Sequence, residues 1–168
     1  AISDKLRREN DIQYDIEEIL VSNGEKQSLS IACQALFDKD DKVVVFQPYW
    51  VSFPEFIRLA DAEPLLVDTL PENNFEPDFE DLMSKNLNGV KGLILNSPSN
   101  PTGGIWGKEA LIKILNLAKD KNWIVISDEC YERLVYDGDF ISTEKVNRSH
   151  SINATVITCF SLSKTYAM

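Results

Sequence analysis

The sequence predicts an open α/β fold, in which a mostly parallel sheet is covered by helices on both faces. Short runs of β-branched and large apolar residues alternate along the chain with segments of helical periodicity. These runs are apolar at nearly every position, which is typical of strands that are buried on both faces. Hydrophobic residues make up 43% of the 168 residues, which is enough for one domain with a buried core.

Six runs have the length and composition of strands. They are Glu18–Ser22, Val43–Phe46, Pro64–Asp68, Gly92–Asn96, Trp123–Ser127 and Thr155–Phe160. In an open α/β sheet, ligands bind outside the carboxyl ends of the strands. The residues that follow each strand are therefore the first candidates for a functional site.

Four amphipathic helices are predicted between these strands, because apolar residues recur there at helical spacing. The apolar positions lie within 29–36, 53–60, 79–83 and 111–118. Pro54 falls in the first turn of the second helix, where proline is tolerated. Pro77-Asp78 precedes the third helix as an acidic turn, which favours a helix start there.

Charge and composition argue against several kinds of partner. The 27 acidic and 17 basic side chains give a net charge of −10, which is unfavourable for binding nucleic acid or an anionic membrane surface. No apolar stretch approaches the ~20 residues that span a bilayer, and the start AISDKLRREN has no signal-peptide core. Cys33, Cys130 and Cys159 are too far apart to indicate a disulfide framework. We expect a cytoplasmic protein that binds small molecules.

Three segments that follow predicted strands carry residues suited to binding a small molecule. Gly24 lies between the first strand and a helix, where backbone N–H groups and the helix dipole favour phosphate, although an ordinary turn is the alternative. Trp50 follows the second strand and either anchors the core or offers a flat face to a planar ring. Ser97–Gly104 follow the fourth strand and present the amide of Asn100.

The fifth and sixth predicted strands end near Asp128 and Lys164. A metal site is not predicted at Asp128-Glu129, because the only histidine, His150, has no ligand spacing to them. Asp128 either caps a helix or is held for a cationic partner, with Tyr131 one helical step away. Lys164 is either a solvated surface charge or a desolvated nucleophile toward an aldehyde.

Five segments, in this order, resemble the motifs of the class I and II aminotransferases, the fold-type I pyridoxal-phosphate (PLP) enzymes related to aspartate aminotransferase. They are NGEKQ, PYWVSF, NSPSNPTGG, ISDECYERLVYDG and FSLSKTYAM. The resemblance spans Ile2 to Met168, and the order S-N-P-T-G, S-D-E-x-Y, S-x-S-K is highly specific. It implies that residues 1–168 belong to a large, cofactor-binding domain. It also implies PLP as cofactor, amino-acid and 2-oxo-acid substrates, and a homodimer.

The resemblance assigns roles to individual residues. Lys164 would form a Schiff base with PLP and then shuttle a proton at the substrate α-carbon. Asp128 would keep the pyridine nitrogen protonated, so that the ring withdraws electrons. Tyr131 and Asn100 would hydrogen-bond the phenolic oxygen of the cofactor, and Trp50 would stack on its ring.

The resemblance places the cofactor phosphate between two segments. The backbone N–H groups of Gly24, Glu25 and Lys26 would bind it, and the hydroxyls of Ser161 and Ser163 would add contacts. Glu25 departs from the family, which usually has a small residue at this position. Its carboxylate would weaken phosphate binding unless the side chain points away.

The family pattern also contains parts that this sequence lacks. In the family, a G-x-R segment follows the lysine, a small domain supplies the arginine that binds the substrate carboxylate, and a further segment precedes residue 1. We therefore expect a piece of the large domain that is inactive or weakly active alone and that associates with another chain. A PLP-dependent lyase or synthase and a non-catalytic fragment are the alternatives.

Overall fold

Six strands form one sheet in the computed structural model, which describes residues 1–168. The strands are β1 Lys42–Gln47, β2 Glu63–Leu70, β3 Glu76–Pro77, β4 Val90–Asn96, β5 Ile124–Asp128 and β6 Thr155–Cys159. Their order across the sheet is β3-β2-β1-β4-β5-β6. All neighbours pair in parallel except β3, which is antiparallel to β2 at one edge. The predicted mostly parallel sheet is confirmed.

Seven α-helices accompany the sheet. They are α1 Ile2–Lys5, α2 Glu25–Leu36, α3 Ser52–Arg58, α4 Phe79–Ser84, α5 Lys108–Lys121, α6 Thr143–Ser149 and α7 Leu162–Tyr166. A π-helical turn, Leu6–Asn10, continues α1, and Ile16–Glu18 and Pro71–Asn73 form 3₁₀ turns. The four predicted helices correspond to α2, α3, α4 and α5. The short helices α1, α6 and α7 were not predicted, because too few apolar positions repeat in them.

The predicted first strand, Glu18–Ser22, is wrong. Its backbone follows the 3₁₀ turn without pairing to a strand, and the side chains of Leu20 and Val21 are 68% and 71% exposed. An apolar run becomes a strand only where a neighbouring strand and a core receive it. The count of six strands holds because β3, which was not predicted, adds the sixth. Gly24 therefore follows an irregular segment.

The sheet separates two apolar cores. In β1, Val44 and Phe46 face a core that includes residues of α4, α5 and α6, whereas Val43 and Val45 face a core shared with α2 and α3. Alternate residues of a strand point to opposite faces, so a strand of this composition is buried on both sides. The prediction of helices on both faces is confirmed.

Two predicted helix starts are also confirmed. The Asp78 carboxylate caps α4, accepting from the backbone N–H groups of Glu80 at 2.9 Å and Asp81 at 3.0 Å. Pro54 lies in the first turn of α3 and is buried. Across the whole chain, no helix combines the length and the apolar character needed to cross a bilayer.

A buried carboxylate joins the end of β5 to the start of α6. Glu129 has no exposed surface, and its Oε1 accepts hydrogen bonds from Ser127 Oγ and from the backbone N–H of Thr143, each at 2.9 Å. The Ser127 and Thr143 hydroxyl oxygens are 2.8 Å apart. Burial raises the pKa of Glu129 to about 7, because the ionised form loses its hydration there.

This pKa shift predicts a pH dependence that Glu129→Gln removes. Between the ordinary pKa of 4.5 and the folded value of about 7, the folded chain binds more protons than the unfolded chain. The stabilisation that Glu129 contributes to the free energy of unfolding is therefore complete below pH 4.5 and is lost as the pH rises to about 7. The neutral amide keeps the shape, so we expect Glu129→Gln to be more stable than the unchanged chain above pH 7, by at most about 3 kcal/mol.

The measurement is the free energy of urea unfolding across pH 4.5 to 8. Glu72→Gln is the matched control, because Glu72 is exposed and is expected to leave the pH profile unchanged. A Glu129→Gln profile parallel to that of the unchanged chain would show that Glu129 is ionised at no cost in the folded state.

Candidate functional site

The residues singled out in the sequence meet at the carboxyl edge of the sheet. The strand order reverses between β1 and β4, which opens a crevice at their carboxyl ends. On one side of this crevice, Asn96 of β4 pairs with Asp128 of β5, which in turn pairs with Cys159 of β6. The loops that carry Asn100 and Lys164 therefore leave the sheet at the same level as Asp128.

Asp128 is the last residue of β5, and its side chain is only 2% exposed. Its Oδ1 accepts from the backbone N–H of Cys130 at 3.1 Å, while its backbone carbonyl accepts from Asn96 Nδ2 at 3.1 Å and from the N–H of Ser97 at 3.2 Å. The segment after β5 is a turn, so Asp128 does not cap a helix and Tyr131 is not a helical step away. The carboxylate is thus buried and fixed at the end of β5.

Glu25, the first residue of α2, extends its side chain toward Asp128. Carboxyl oxygens of Glu25 and Asp128 and the Sγ atom of Cys130 all lie within 4.8 Å of one another. The Oε1 atom of Glu25 is buried and receives no hydrogen bond from a donor group. The Glu25 carboxyl therefore points into the site. The opposite orientation, away from the site, is the one that the sequence indicated as favourable for phosphate binding.

The two carboxyls change each other's protonation. Burial raises the pKa of Glu25 to about 9, and the negative charge of Asp128 adds to the rise, while the Lys164 ammonium opposes it. Burial also raises the pKa of Asp128. The hydrogen bond between the two carboxyls adds to the rise in the pKa of Glu25 and opposes the rise in the pKa of Asp128, because a proton between them relieves their repulsion.

The start of α2 provides an open concave backbone. Gly24 has a φ of 79°, in the left-handed region that glycine adopts easily, and no atom lies within 4 Å of where its Cβ would be. Its N–H donates to the Ser22 carbonyl at 2.8 Å. The N–H groups of Glu25 and Lys26 lie in the first turn of the helix and have no intrahelical acceptor.

Lys164 lies in α7, close to Asp128 but in contact with solvent. Its Nζ is 5.8 Å from the centroid of the Tyr131 ring, and its charge is near enough to oppose the pKa rise of both Asp128 and Glu25. The side chain is exposed, so the structure does not show the desolvation considered from the sequence. Burial raises the pKa of Tyr131, and the Asn100 side chain offsets part of that rise through a hydrogen bond.

Ser161 sets the position of Lys164. Its Oγ accepts from the backbone N–H of Ser163 at 3.2 Å, which caps the start of α7. The Ser161 hydroxyl keeps its own proton for donation, and Ser163 is exposed. Both hydroxyls lie on the turn that leads from β6 to Lys164.

Trp50 packs against the core, as one of the two roles considered from the sequence requires, while its stacking on a planar ring stays a prediction. It is half-buried, and its ring packs edge-to-face against Phe53 and Phe56, with centroids 5.5 Å and 5.9 Å apart. The Nζ atom of Lys26 lies 5.1 Å from the centroid of the Trp50 ring. Trp50 is thus anchored in the core of α3 and also reaches the start of α2.

Two residues of the site were missed in the sequence. Asn96 bridges the ends of β4 and β5: in addition to its bond with Asp128, its Oδ1 accepts from the N–H of Asn100 at 2.7 Å. A polar residue at the last position of a buried strand is a signal that could have identified it. Cys130 has a buried thiol, whose pKa is raised by burial and by the carboxyls of Asp128 and Glu25. The sequence could not place Cys130 in the site, because its position is set by the turn after β5.

The N-terminal segment supports the turn that carries Tyr131. Asn10 is buried, and its Nδ2 donates to Glu132 Oε2 at 2.6 Å. Lys5 donates to Asn10 Oδ1 at 2.8 Å and forms an ion pair with Glu132. Residues adjacent to Tyr131 are thereby held by a part of the chain more than 120 positions away.

The family comparison covers the entire chain. The family model described as "Aminotransferase class I and II" matches residues 1–168. The chain is 41% identical over 152 residues to the aspartate/prephenate aminotransferase of Thermus thermophilus, covering 90% of this chain and 40% of that protein. It is 37% identical over 169 residues to a probable aspartate/prephenate aminotransferase of Aquifex aeolicus, covering 100% of this chain and 42% of the relative.

Solved structures show the same fold. The aspartate aminotransferase of Thermus thermophilus with maleate superposes with a TM-score of 0.90 at 39% identity, covering 99% of this chain and 42% of that one. An alanine aminotransferase from Pyrococcus furiosus gives a TM-score of 0.92 at 28% identity, covering 98% and 41%. The chain therefore spans about two fifths of the length of these relatives. With its whole length matched by the family model, the chain belongs to the class I and II aminotransferase family.

Proposed function

We propose that residues 1–168 are the PLP-binding part of the large domain of an aminotransferase, which transfers an amino group from an amino acid to a 2-oxo acid. One observation carries the proposal: the buried carboxylate of Asp128, the Lys164 amine and the open start of α2 lie at one edge of the sheet. These three features are complementary to a cationic ring nitrogen, an aldehyde and a phosphate. They fit PLP, which carries all three groups.

Asp128 is the proposed partner of the ring nitrogen. A buried carboxylate interacts more strongly with a cation than an exposed one does, because the surrounding dielectric is low. Hydrogen bonds from Cys130, Asn96 and Ser97 fix the residue, so it holds a proton on that nitrogen without having to reorient. When bound, PLP supplies an electron-withdrawing ring that stabilises negative charge at the substrate α-carbon.

Lys164 is the proposed anchor and proton carrier. Its amine would hold the aldehyde carbon of the cofactor covalently, and after release by the substrate it would move a proton at the α-carbon. The exposure of Lys164 and its place in the five-residue helix α7 leave it free to reach either position. Tyr131, 5.8 Å away, would bind the phenolic oxygen together with Asn100.

The remaining proposed contacts orient the cofactor. The N–H groups of Glu25 and Lys26 would bind the phosphate, with the Ser161 and Ser163 hydroxyls as further donors. The Gly24 N–H already donates to the Ser22 carbonyl, so Gly24 would not donate to the phosphate. It would contribute by leaving open space beside the backbone, where a phosphate could approach. Trp50 would stack against the ring from the side of α3.

The names of the relatives guide the proposed substrate. Two relatives at 41% and 37% identity are named aspartate/prephenate aminotransferases, which favours an aminotransferase over a PLP-dependent lyase and aspartate as an amino donor. We further propose a homodimer in the cytoplasm. The three cysteines are free and buried, which supports a reducing compartment.

Lys164→Ala tests the anchor. We expect the unchanged chain, incubated with PLP and then reduced with borohydride, to retain the cofactor covalently at Lys164, because only a nearby amine can trap an aldehyde stably. Lys164→Ala is expected to lose this label entirely. Lys121→Ala is the control, since Lys121 is exposed at the end of α5, away from the site, and should label normally. Peptide mass spectrometry reads the result, and a label on other lysines alone would contradict the assignment.

Asp128→Asn tests the role of the buried carboxylate. The amide cannot hold a proton on the ring nitrogen as an anion does, so we expect solvent exchange of the α-hydrogen of aspartate to slow by at least about 10²-fold in the holoprotein. PLP binding should weaken much less. NMR measures the exchange, and Asp120→Asn, an exposed change in α5, is the matched control. Exchange at an undiminished rate in Asp128→Asn would rule out this role.

A further inference from the structure

The side chains of Glu25 and Asp128 bring two carboxyl groups together at the carboxyl edge of the sheet. Two carboxyls within 4.8 Å of each other repel when both are ionised, and burial increases the cost. The contact becomes favourable only when one proton lies between them. Glu25 therefore acts as a neutral hydrogen-bond donor to the Asp128 carboxylate.

Apart from Asp128, Glu25 hydrogen-bonds only the thiol of Cys130, which carries no positive charge. The titratable groups that face Glu25 come from the end of β5, from the turn after it, from β6 and from α7. They are Asp128, Cys130, Tyr131, Cys159 and Lys164. Lys164 is the single cation among them, and it is exposed. Since no buried cation neutralises Glu25, its side chain reaches Asp128 as an uncharged acid.

Asp128 is also the proposed partner of the ring nitrogen, so this inference rests on the proposed function. One carboxylate oxygen of Asp128 is already bound by the N–H of Cys130 at 3.1 Å. A ring nitrogen and the Glu25 carboxyl would therefore compete for the same free side of Asp128. We propose that the Glu25 carboxyl occupies the ring-nitrogen end of the site in the ligand-free chain, and that a bound cationic ring displaces it from Asp128.

Displacement of Glu25 from Asp128 couples the binding of the cofactor to the release of one proton. Once it has left Asp128 for solvent, Glu25 regains an ordinary pKa of 4.5 instead of about 9, so it loses its proton between these pH values. The proton passes to solvent or to the ring nitrogen. In either case the chain with Glu25 releases one more proton on binding than a chain with glutamine there. Its affinity for PLP therefore rises with pH across this window, relative to that variant.

This behaviour differs from simple repulsion between Glu25 and the phosphate. Under repulsion, removal of the carboxyl would tighten binding most at high pH, where Glu25 is ionised. Under displacement, removal of the carboxyl tightens binding most at low pH, where the proton on Glu25 holds the contact with Asp128. The direction of the pH dependence thus distinguishes the two.

The first experiment measures the dissociation constant of PLP from pH 6 to 9 for the unchanged chain, Glu25→Ala and Glu25→Gln. We expect Glu25→Ala to bind PLP more tightly than the unchanged chain at pH 6, with an advantage that falls by about tenfold per pH unit toward pH 9, because one proton is released. Glu25→Gln should bind weakly with no such trend, because its amide donates to Asp128 at every pH. Glu17→Gln, which alters an exposed carboxyl, should match the unchanged chain.

A double substitution and a calorimetric measurement complete the binding test. In the Asp128→Asn background, Glu25→Ala should no longer tighten binding, since the contact is already altered. Titrations at pH 7 in buffers of different ionisation enthalpy should show about one more proton released by the unchanged chain than by Glu25→Gln. Equal proton release, or an advantage of Glu25→Ala that grows with pH, would overturn the proposal.

The second experiment follows the protonation of the Glu25 carboxyl directly, before and after PLP is added. The ¹³C signal of the Glu25 side-chain carboxyl should titrate near pH 9 in the ligand-free chain and return to the ordinary range when PLP is added. A transition near pH 4.5 without PLP, in a chain that still binds PLP, would overturn this inference and leave the proposed function intact. Failure of every variant to bind PLP would instead overturn the proposed function.

Discussion

The parallel, in-register pairing of β4, β5 and β6 is the constraint on which the site depends. It places Asn96, Asp128 and Cys159 side by side at the carboxyl edge of the sheet. Asn96 then fixes the backbone of both Asp128 and Asn100 through its amide. A shift of one residue in β5 would turn Asp128 toward the opposite face, and a shift in β4 or β6 would move Asn96 or Cys159 away from it.

Two buried carboxyl groups lie at the end of β5, in a chain that already carries a net charge of −10. Asp128 and Glu129 point to opposite sides of the strand end, one toward the site and the other toward α6. Burial raises the pKa of both, and Glu25 adds a third carboxyl from α2. Such a cluster reduces stability at neutral pH, and clusters of this kind are typical of sites that bind a cation or move protons. Glu129 has a structural part in it, because it ties α6 to β5, whereas Asp128 and Glu25 face the crevice.

Sequence patterns predicted the features that depend on local chemistry. The buried strands β1, β4 and β5 were visible as apolar runs, and Asp78 and Pro54 marked helix starts. The resemblance to the family predicted that Asp128 and Lys164 belong to one site, and the structure places both at the carboxyl edge of the sheet. Patterns failed where tertiary contact decides: Glu18–Ser22 is apolar but has no partner strand, so it stays exposed. The contact of Glu25 with Asp128 and the exposure of Lys164 depend on how α2, β5 and α7 are arranged in space. A local sequence pattern does not predict that arrangement.

We propose above all that Asp128 holds a protonated ring nitrogen at this edge of the sheet. The direct measurement is the ¹⁵N chemical shift of the pyridine nitrogen in ring-labelled PLP bound to the protein at pH 8. We expect the shift of a protonated nitrogen in the unchanged protein and that of an unprotonated nitrogen in Asp128→Asn. An unprotonated nitrogen in the unchanged protein at pH 8 would contradict it.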